Sequence, residues 1–312
     1  MRVLFPMKRL LVIGSEGNIG KPLVSHLRRN GHDVLAVDVV PGWRDGYLMA
    51  DINHPADLIP AFDFSPDAVF ILSAMVSRVT CEKSPSLAAA TNLAGLTNVL
   101  QMCKRVAAMT VFFSTSEVYG PDCDPMDESL SDPRPNNFYG LTKYLGEKLV
   151  EYEVRQHGLK AVSLRPFMMY DENEALGDHR SAMIRFAANL ARGMPIEVHG
   201  GSARGWLHVS DAVRAIEAAA EVGTYAAINI GHPDIRPIAD LAEMIRSRLG
   251  APQELISVKR LPERMTLVKR PTLERMRTIL GIVPEVDLEI GVDRVCGLIQ
   301  ARLGSADHNA GA

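Results

Sequence analysis

An α/β fold, with a doubly wound parallel sheet and a smaller C-terminal lobe, is what this sequence predicts. Three observations predict it. Short apolar runs alternate with helix-period segments through the first half of the chain, the signature of βαβ units. A glycine-rich turn joins the first run to the first helical segment. Polar residues recur where successive runs end, which is where open parallel sheets bind ligands.

Lys8 to Ile13 is apolar enough for a strand covered on both faces. Gly14-Ser15-Glu16-Gly17-Asn18-Ile19-Gly20 follows at once, in the pattern G-x-x-G-x-x-G. Lys21 to Arg29 then carries Leu23, Val24 and Leu27 at helical spacing. Strand, glycine turn and helix in this order make a dinucleotide site of Rossmann type, with the pyrophosphate at the helix N-terminus. The next run, Asp33 to Val37, ends at Asp38, 18 residues past Gly20, where an acid binds the ribose 2′-OH. A carboxylate there repels a 2′-phosphate, and no Arg stands within the next five residues, so the expected cofactor is NAD. The alternative is a glycine turn with no ligand. Strand, spacing and acid together argue against it.

Further strands are expected at 46–50, 68–73, 110–114, 160–165 and 226–230, with a short one at 196–199. Helices are expected at 18–30, 55–62, 84–107, 139–157, 180–192, 210–222, 237–249, 272–280 and 288–303. Gly14, Asp38, Asp51, Ser73, Ala74 and Thr115 all fall at strand ends and fit one elongated site. The rhythm changes after Arg165-Pro166, where an acidic, Gly-containing loop spans 170–179. The expected division is a dinucleotide domain over 1–167, rejoined by 205–231, and a substrate lobe from 168–204 and 232–312.

The chain has 312 residues and a formal net charge of −3, which argues against a nucleic-acid or membrane-surface partner. No apolar run approaches the ~20 residues of a membrane span, and Met1 to Met7 carries no signal-peptide pattern. Cys81, Cys103, Cys123 and Cys296 form no C-x-x-C pair and no His cluster joins them, so neither a metal nor a disulfide framework is expected. The expectation is a reduced cytoplasmic protein with a frayed tail over 305–312.

Tyr139 and Lys143 stand four apart, on one face of a predicted helix. An ammonium near a phenol favours the phenolate. A shift of ~3 units corresponds to about 4 kcal/mol, enough to make the tyrosine a general base near neutral pH. About two dozen residues upstream stands Ser114-Thr115-Ser116-Glu117-Val118-Tyr119-Gly120.

From Lys8 to Leu303 these pieces resemble the extended short-chain dehydrogenase/reductase family, especially its NAD-dependent nucleotide-sugar epimerases and dehydratases. The resemblance rests on Gly14/Gly17/Gly20, Asp38, Asp51-Ile52, Asn92, the Ser114 to Gly120 segment, Tyr139/Lys143 and Arg165-Pro166-Phe167. It implies that Gly14, Glu16, Gly17, Asn18, Ile19, Gly20, Asp38, Ser73 and Ala74 bind NAD, that Asp51 and Ile52 meet the adenine, and that Asn92 supports the active-site helix beside the cofactor. It makes Tyr139 the base, Thr115 the holder of the reacting oxygen, and Lys143 the residue that binds the nicotinamide ribose and keeps Tyr139 ionised. The implied reaction oxidises an alcohol to a transient keto sugar and then returns the hydride. The resemblance also implies a homodimer through helices 84–107 and 139–157.

Some positions keep two readings. Glu117 is either a second catalytic group or a salt-bridged loop carboxylate. Ser116 stands where dTDP-glucose dehydratases usually carry Asp, which weakens that reaction. Met168 replaces a substrate-contacting Asn and is either an apolar wall of the site or core. Arg204, in a loop that looks shortened, is either a diphosphate contact or a surface arginine. Ser77 and Arg78 are further candidates for substrate contact. Lys259, Arg260, Arg264, Lys269 and Arg270 either add phosphate contacts or form a solvated face, and His199 and His208 read as structural. The competing functions are an NAD-dependent dehydrogenase or reductase of a sugar, polyol or other hydroxy compound, and a non-catalytic NAD-sensing protein.

Overall fold

The structure is a computed structural model that describes residues 7–130, 132–177, 181–260 and 266–309, with side chains described to residue 303. Arg264 and the end of the expected frayed tail lie outside these residues. In chain order the elements are β1 (Arg9–Ile13), α1 (Gly20–Arg29), β2 (Asp33–Asp38), β3 (Tyr47–Met49), α2 (Pro55–Asp63), β4 (Ala68–Ile71), α3 (Arg78–Lys83), α4 (Pro85–Ala89), a π-helical turn (Ala90–Gly95), α5 (Leu96–Val106), β5 (Met109–Phe113) and α6 (Phe138–His157). There follow β6 (Ala161–Pro166), β7 (Met169–Tyr170), α7 (Ala182–Ala191), β8 (Ile196–His199), β9 (Ala203–Gly205), β10 (Leu207–His208), α8 (Val209–Ala219), β11 (Ala227–Ile230), β12 (Ile235–Pro237), α9 (Ile238–Leu249), β13 (Ile256–Lys259), β14 (Val268–Lys269), α10 (Glu274–Thr278) and α11 (Leu288–Asn309).

Seven strands form one parallel sheet in the order β11-β6-β5-β4-β1-β2-β3. β1 pairs on one side with β2, Leu10 opposite Val34, and on the other with β4, Leu10 opposite Ala68. Strand order reverses there, so the crevice beyond the ends of β1 and β4 is the topological switch point. Both faces of the sheet are covered, which is why β1 reads as a continuous apolar run. Leu10 and Val12 pack with Leu23 and Leu27 of α1 and Ile216 of α8. Leu11 and Ile13 face the other way, onto Leu58 of α2, Leu100 of α5 and Val150 of α6. A separate apolar cluster joins Ile184 of α7, Ile245 of α9, Val292 of α11 and Trp206.

The structure departs from the sequence expectations in the short elements. The helix expected at 84–107 is interrupted by the π-turn at Ala90–Gly95. A short helix, α3, follows β4 in a stretch with no expected element, with Ser77 as its N-cap accepting the Thr80 N–H. β7, β9, β10, β12, β13 and β14 have two to four residues each, too few for a period-2 pattern to declare itself.

Candidate active site

The glycine turn folds tightly onto the switch point. Gly14 has φ of +91° and donates its N–H to Val37 O at 2.8 Å. A Cβ on Gly14 would lie 2.6 Å from Ser73 N, and one on Gly20 only 2.2 Å from Gly14 O. A Cβ on Gly17 would meet only Gly14 O, at 3.4 Å, so that glycine faces open space. The N-terminus of α1 carries no acidic residue in its first turn and no side-chain cap, which leaves its dipole for an anion. The Ser15 and Ser73 hydroxyls are buried with no hydrogen-bond partner among the described residues. Asp38 accepts the Glu16 N–H at 2.8 Å, which fixes its carboxylate against the turn. This cradle fits a dinucleotide. Ile19 packs into the core. Arg44 stands six residues past Asp38, and its loop curls back so that its guanidinium pairs with Glu16.

Asp51 and Ile52 follow β3. Asp51 Oδ1 accepts from the Asn53 N–H and amide at 2.9 Å, and Ile52 is core beneath Gly95. The Asn92 side chain is occupied by protein partners. Its Oδ1 accepts the Met75 N–H at 2.7 Å, and its Nδ2 donates to Met75 O and to Thr142 Oγ1. It thereby ties the loop after β4, which includes Ala74, to α6.

Thr115 follows β5 as the cap of the Ser116–Tyr119 turn and accepts the Glu117 N–H on Oγ1 at 3.2 Å. Asn137 caps α6, accepting the Gly140 N–H at 2.9 Å while its Nδ2 donates to Glu117 Oε2 at 2.9 Å. A Cβ on Gly140 would stand 2.8 Å from Glu117 O, so the close approach of α6 to the Ser116–Tyr119 turn requires glycine. This brings Tyr139, in the first turn of α6, beside Thr115, whose hydroxyl lowers its phenol. Lys143 lies one turn on, 3% exposed, with Nζ 4.4 Å from the centroid of Phe112.

Burial disfavours the charged forms of both Tyr139 and Lys143. Burial raises the Tyr139 phenol well above its usual range; the Thr115 hydrogen bond opposes this and the Glu117 charge adds to it. Lys143 is not among the groups that lower it. Burial depresses the Lys143 ammonium to about 7, with Glu147 pulling back.

Beside this pair sits a charged cluster. Lys269 of β14 pairs with Glu117 Oε1 at 2.5 Å and reaches Ser116 Oγ at 3.2 Å. Arg78 NH1 lies 3.9 Å from Glu117 Oε2. Burial alone would raise the Glu117 carboxyl, but Lys269, Arg78 and Asn137 outweigh it and hold it below the usual range. Arg204 is buried, donates to the carbonyls of Ala203, Thr266 and Leu267, and is lowered to about 10 by burial. Among the described residues of the expected basic cluster, only Lys269 turns inward. Lys259 pairs with Glu197 and Arg270 with Asp124, both at the surface, and Arg260 is exposed. Met168 packs beside the C-terminal apolar cluster, and Ser77 is engaged in capping α3. His208 bonds Glu172 at 2.7 Å and caps α8.

Glu147 escaped the sequence reading, although its spacing four residues after Lys143 was the available signal. It takes a two-pronged bond from Arg165, at 2.9 and 2.7 Å, and accepts from Ser114 Oγ at 2.5 Å. This buried pair anchors α6 to β5 and β6.

A family model described as "NAD dependent epimerase/dehydratase family" matches residues 10–231. The chain belongs to the NAD-dependent epimerase/dehydratase family. It is therefore an NAD-dependent enzyme of the extended short-chain dehydrogenase/reductase type. It is 29% identical over 311 residues to UDP-glucuronic acid decarboxylase 6 of Arabidopsis thaliana, across 95% of this chain and 90% of that one. It is 27% identical to UDP-glucuronic acid decarboxylase 1 of Danio rerio, across 97% of this chain and 75% of that one. Its structure is similar to that of UDP-glucose 4-epimerase from Thermotoga maritima solved with UDP-glucose, with TM-score 0.88, 25% identity, and 95% and 99% of the two chains covered. In this epimerase/dehydratase-family chain, Thr115, Tyr139 and Lys143 lie together beyond the ends of β4 and β5, on the same side of the sheet as the glycine turn.

Proposed function

We propose that the substrate is a UDP-linked uronic acid, oxidised to a 4-keto sugar and then decarboxylated. The observation that carries this is the cluster around Glu117. Three cations, Arg78, Arg204 and Lys269, face one carboxylate beside Thr115 and Tyr139. Such an excess of positive charge suits a substrate with a sugar carboxylate in addition to its diphosphate. The relatives named as UDP-glucuronic acid decarboxylases support the same reading.

When bound, NAD+ would supply the hydride acceptor and a cationic ring whose charge favours the Tyr139 phenolate that burial disfavours. Thr115 holds the C4 hydroxyl and Tyr139 takes its proton as the hydride leaves C4. The resulting ketone is β to the carboxylate. The C5–C6 bond can then break, CO2 leaves, and its electron pair passes into an enolate that the cations stabilise. A proton from solvent water takes the place of CO2 at C5, hydride returns to C4, and Tyr139 returns its proton to the C4 oxygen, which closes a redox-neutral cycle. In this proposal 168–204 and 232–312 form the lobe that closes over the sugar, and helices 84–107 and 139–157 pair two copies into a homodimer.

The test is to incubate the purified protein with UDP-glucuronic acid, UDP-glucose and UDP-galactose. Release of CO2 and a UDP-pentose, without net NADH, is expected from the first alone. Interconversion of the two neutral sugars with no turnover of the acid would replace this reading by epimerisation. Steady NADH production from a free alcohol would make the protein a dehydrogenase. Bound NAD with no turnover of any substrate would make it an NAD sensor.

A further inference from the structure

The loop between β2 and β3 brings a charge arrangement to the ribose end of the coenzyme site that the glycine pattern does not require. Asp38 accepts two backbone N–H groups, from Glu16 at 2.8 Å and Val40 at 3.2 Å, so the acid that meets the ribose 2′-OH is pinned beside residue 16. The Glu16 side chain is mostly buried and bridges two cations. It pairs with Arg44 through Oε1 and lies 3.4 Å from Lys21 through Oε2. Arg44 in turn stacks on Tyr47, 4.0 Å from the ring centroid, and the Tyr47 hydroxyl donates to Val40 O. The Tyr47 phenol is raised by burial and by the Asp38 and Glu16 carboxylates and lowered by Arg44, which places all three charges around one hydroxyl. Glu16, Lys21 and Arg44 line a cleft of about 570 Å³ together with Arg28 and Arg29.

We propose that Glu16 is a second determinant of coenzyme choice: it adds a carboxylate next to Asp38 and neutralises Arg44 and Lys21, which would otherwise receive a 2′-phosphate. An arginine fork beside the adenosine ribose is the group that accommodates NADP. Here that fork is present but occupied by Glu16. The inference rests on NAD binding at the glycine turn and concerns only its selectivity.

The test is calorimetric titration of nucleotide-free protein with NAD+ and with NADP+. The E16Q variant should raise the ratio of NADP+ to NAD+ affinity by about tenfold or more, since it removes one like charge and releases two unlike ones. The E16Q/R44A double variant should lose most of that gain. An unchanged ratio in E16Q would overturn the inference, as would a gain that survives intact in the double variant. Wild-type protein that binds neither nucleotide would overturn the NAD reading and this inference with it. Wild-type protein that binds NAD+, with no change of ratio in E16Q, would overturn this inference alone.

Discussion

Lys143 is a buried ammonium one turn from Tyr139, the proposed base. Its folded pKa of about 7 lies below the ~10.4 of an unfolded lysine. The unfolded chain therefore holds one more proton between those values, and stability rises with pH across that window as the penalty is relieved. Lys143→Met keeps the volume and removes the charge. In nucleotide-free protein we expect it to raise stability at pH 6 by on the order of a few kcal/mol, seen as a higher thermal midpoint, with the gain fading towards pH 10, while turnover is lost. A midpoint that falls at pH 6 would refute this. Tyr139→Phe should reduce turnover by roughly 10²–10⁴, the usual value of a general base, with the fold intact in circular dichroism. Glu117 raises the Tyr139 phenol, so Glu117→Gln should move the acidic limb of the kcat/KM profile to lower pH, besides slowing the reaction. A limb that stays put or moves up would show that Glu117 does not act on the base.

The glycine turn is the element where sequence and structure agree most closely, because sterics leave it no freedom. Gly20→Ala would drive a Cβ to 2.2 Å from Gly14 O. We expect a loss of about 1–3 kcal/mol of stability from the overpacking, together with loss of NAD affinity measured by calorimetry. Wild-type affinity would mean that the turn tolerates rearrangement. The parallel strands were legible for a similar reason: strands buried on both faces must be continuously apolar, and β1, β2, β4, β5 and β6 are bounded within a few residues of expectation. What escaped was set by long-range contact. The π-turn at Ala90–Gly95 presents Asn92 to Met75 and Thr142, and no local propensity announces such a bulge. Lys269 looked like one charge in a basic stretch until β14 paired beside β9 and delivered it to Glu117, 152 residues away. Tyr139 and Lys143 could be found by spacing, but the field around them could not, because desolvation depends on what the rest of the chain packs over them.

At the scale of the whole molecule, α6 has two faces with different tasks. The inner face carries Tyr139, Lys143, Glu147 and Val150 into the site and the core. The outer face leaves Leu141, Leu145 and Tyr152 exposed at i, i+4 and i+11, a narrow stripe down one side of the helix, with Leu87 of α4 also exposed nearby. An exposed apolar stripe of this kind suits a contact surface, and it lies on the segments proposed for the homodimer. Leu145→Glu adds a charge to the middle of that stripe and touches no catalytic group. We expect it to weaken self-association by at least about tenfold, seen as a shift from dimer to monomer in light scattering at micromolar concentration. Because the opposite face of the same helix positions the base, the monomer should also turn over more slowly than the dimer. Wild-type protein that is already monomeric would remove the dimer from the proposal. A monomeric Leu145→Glu variant with undiminished turnover would show that α6 holds Tyr139 in place without the second copy.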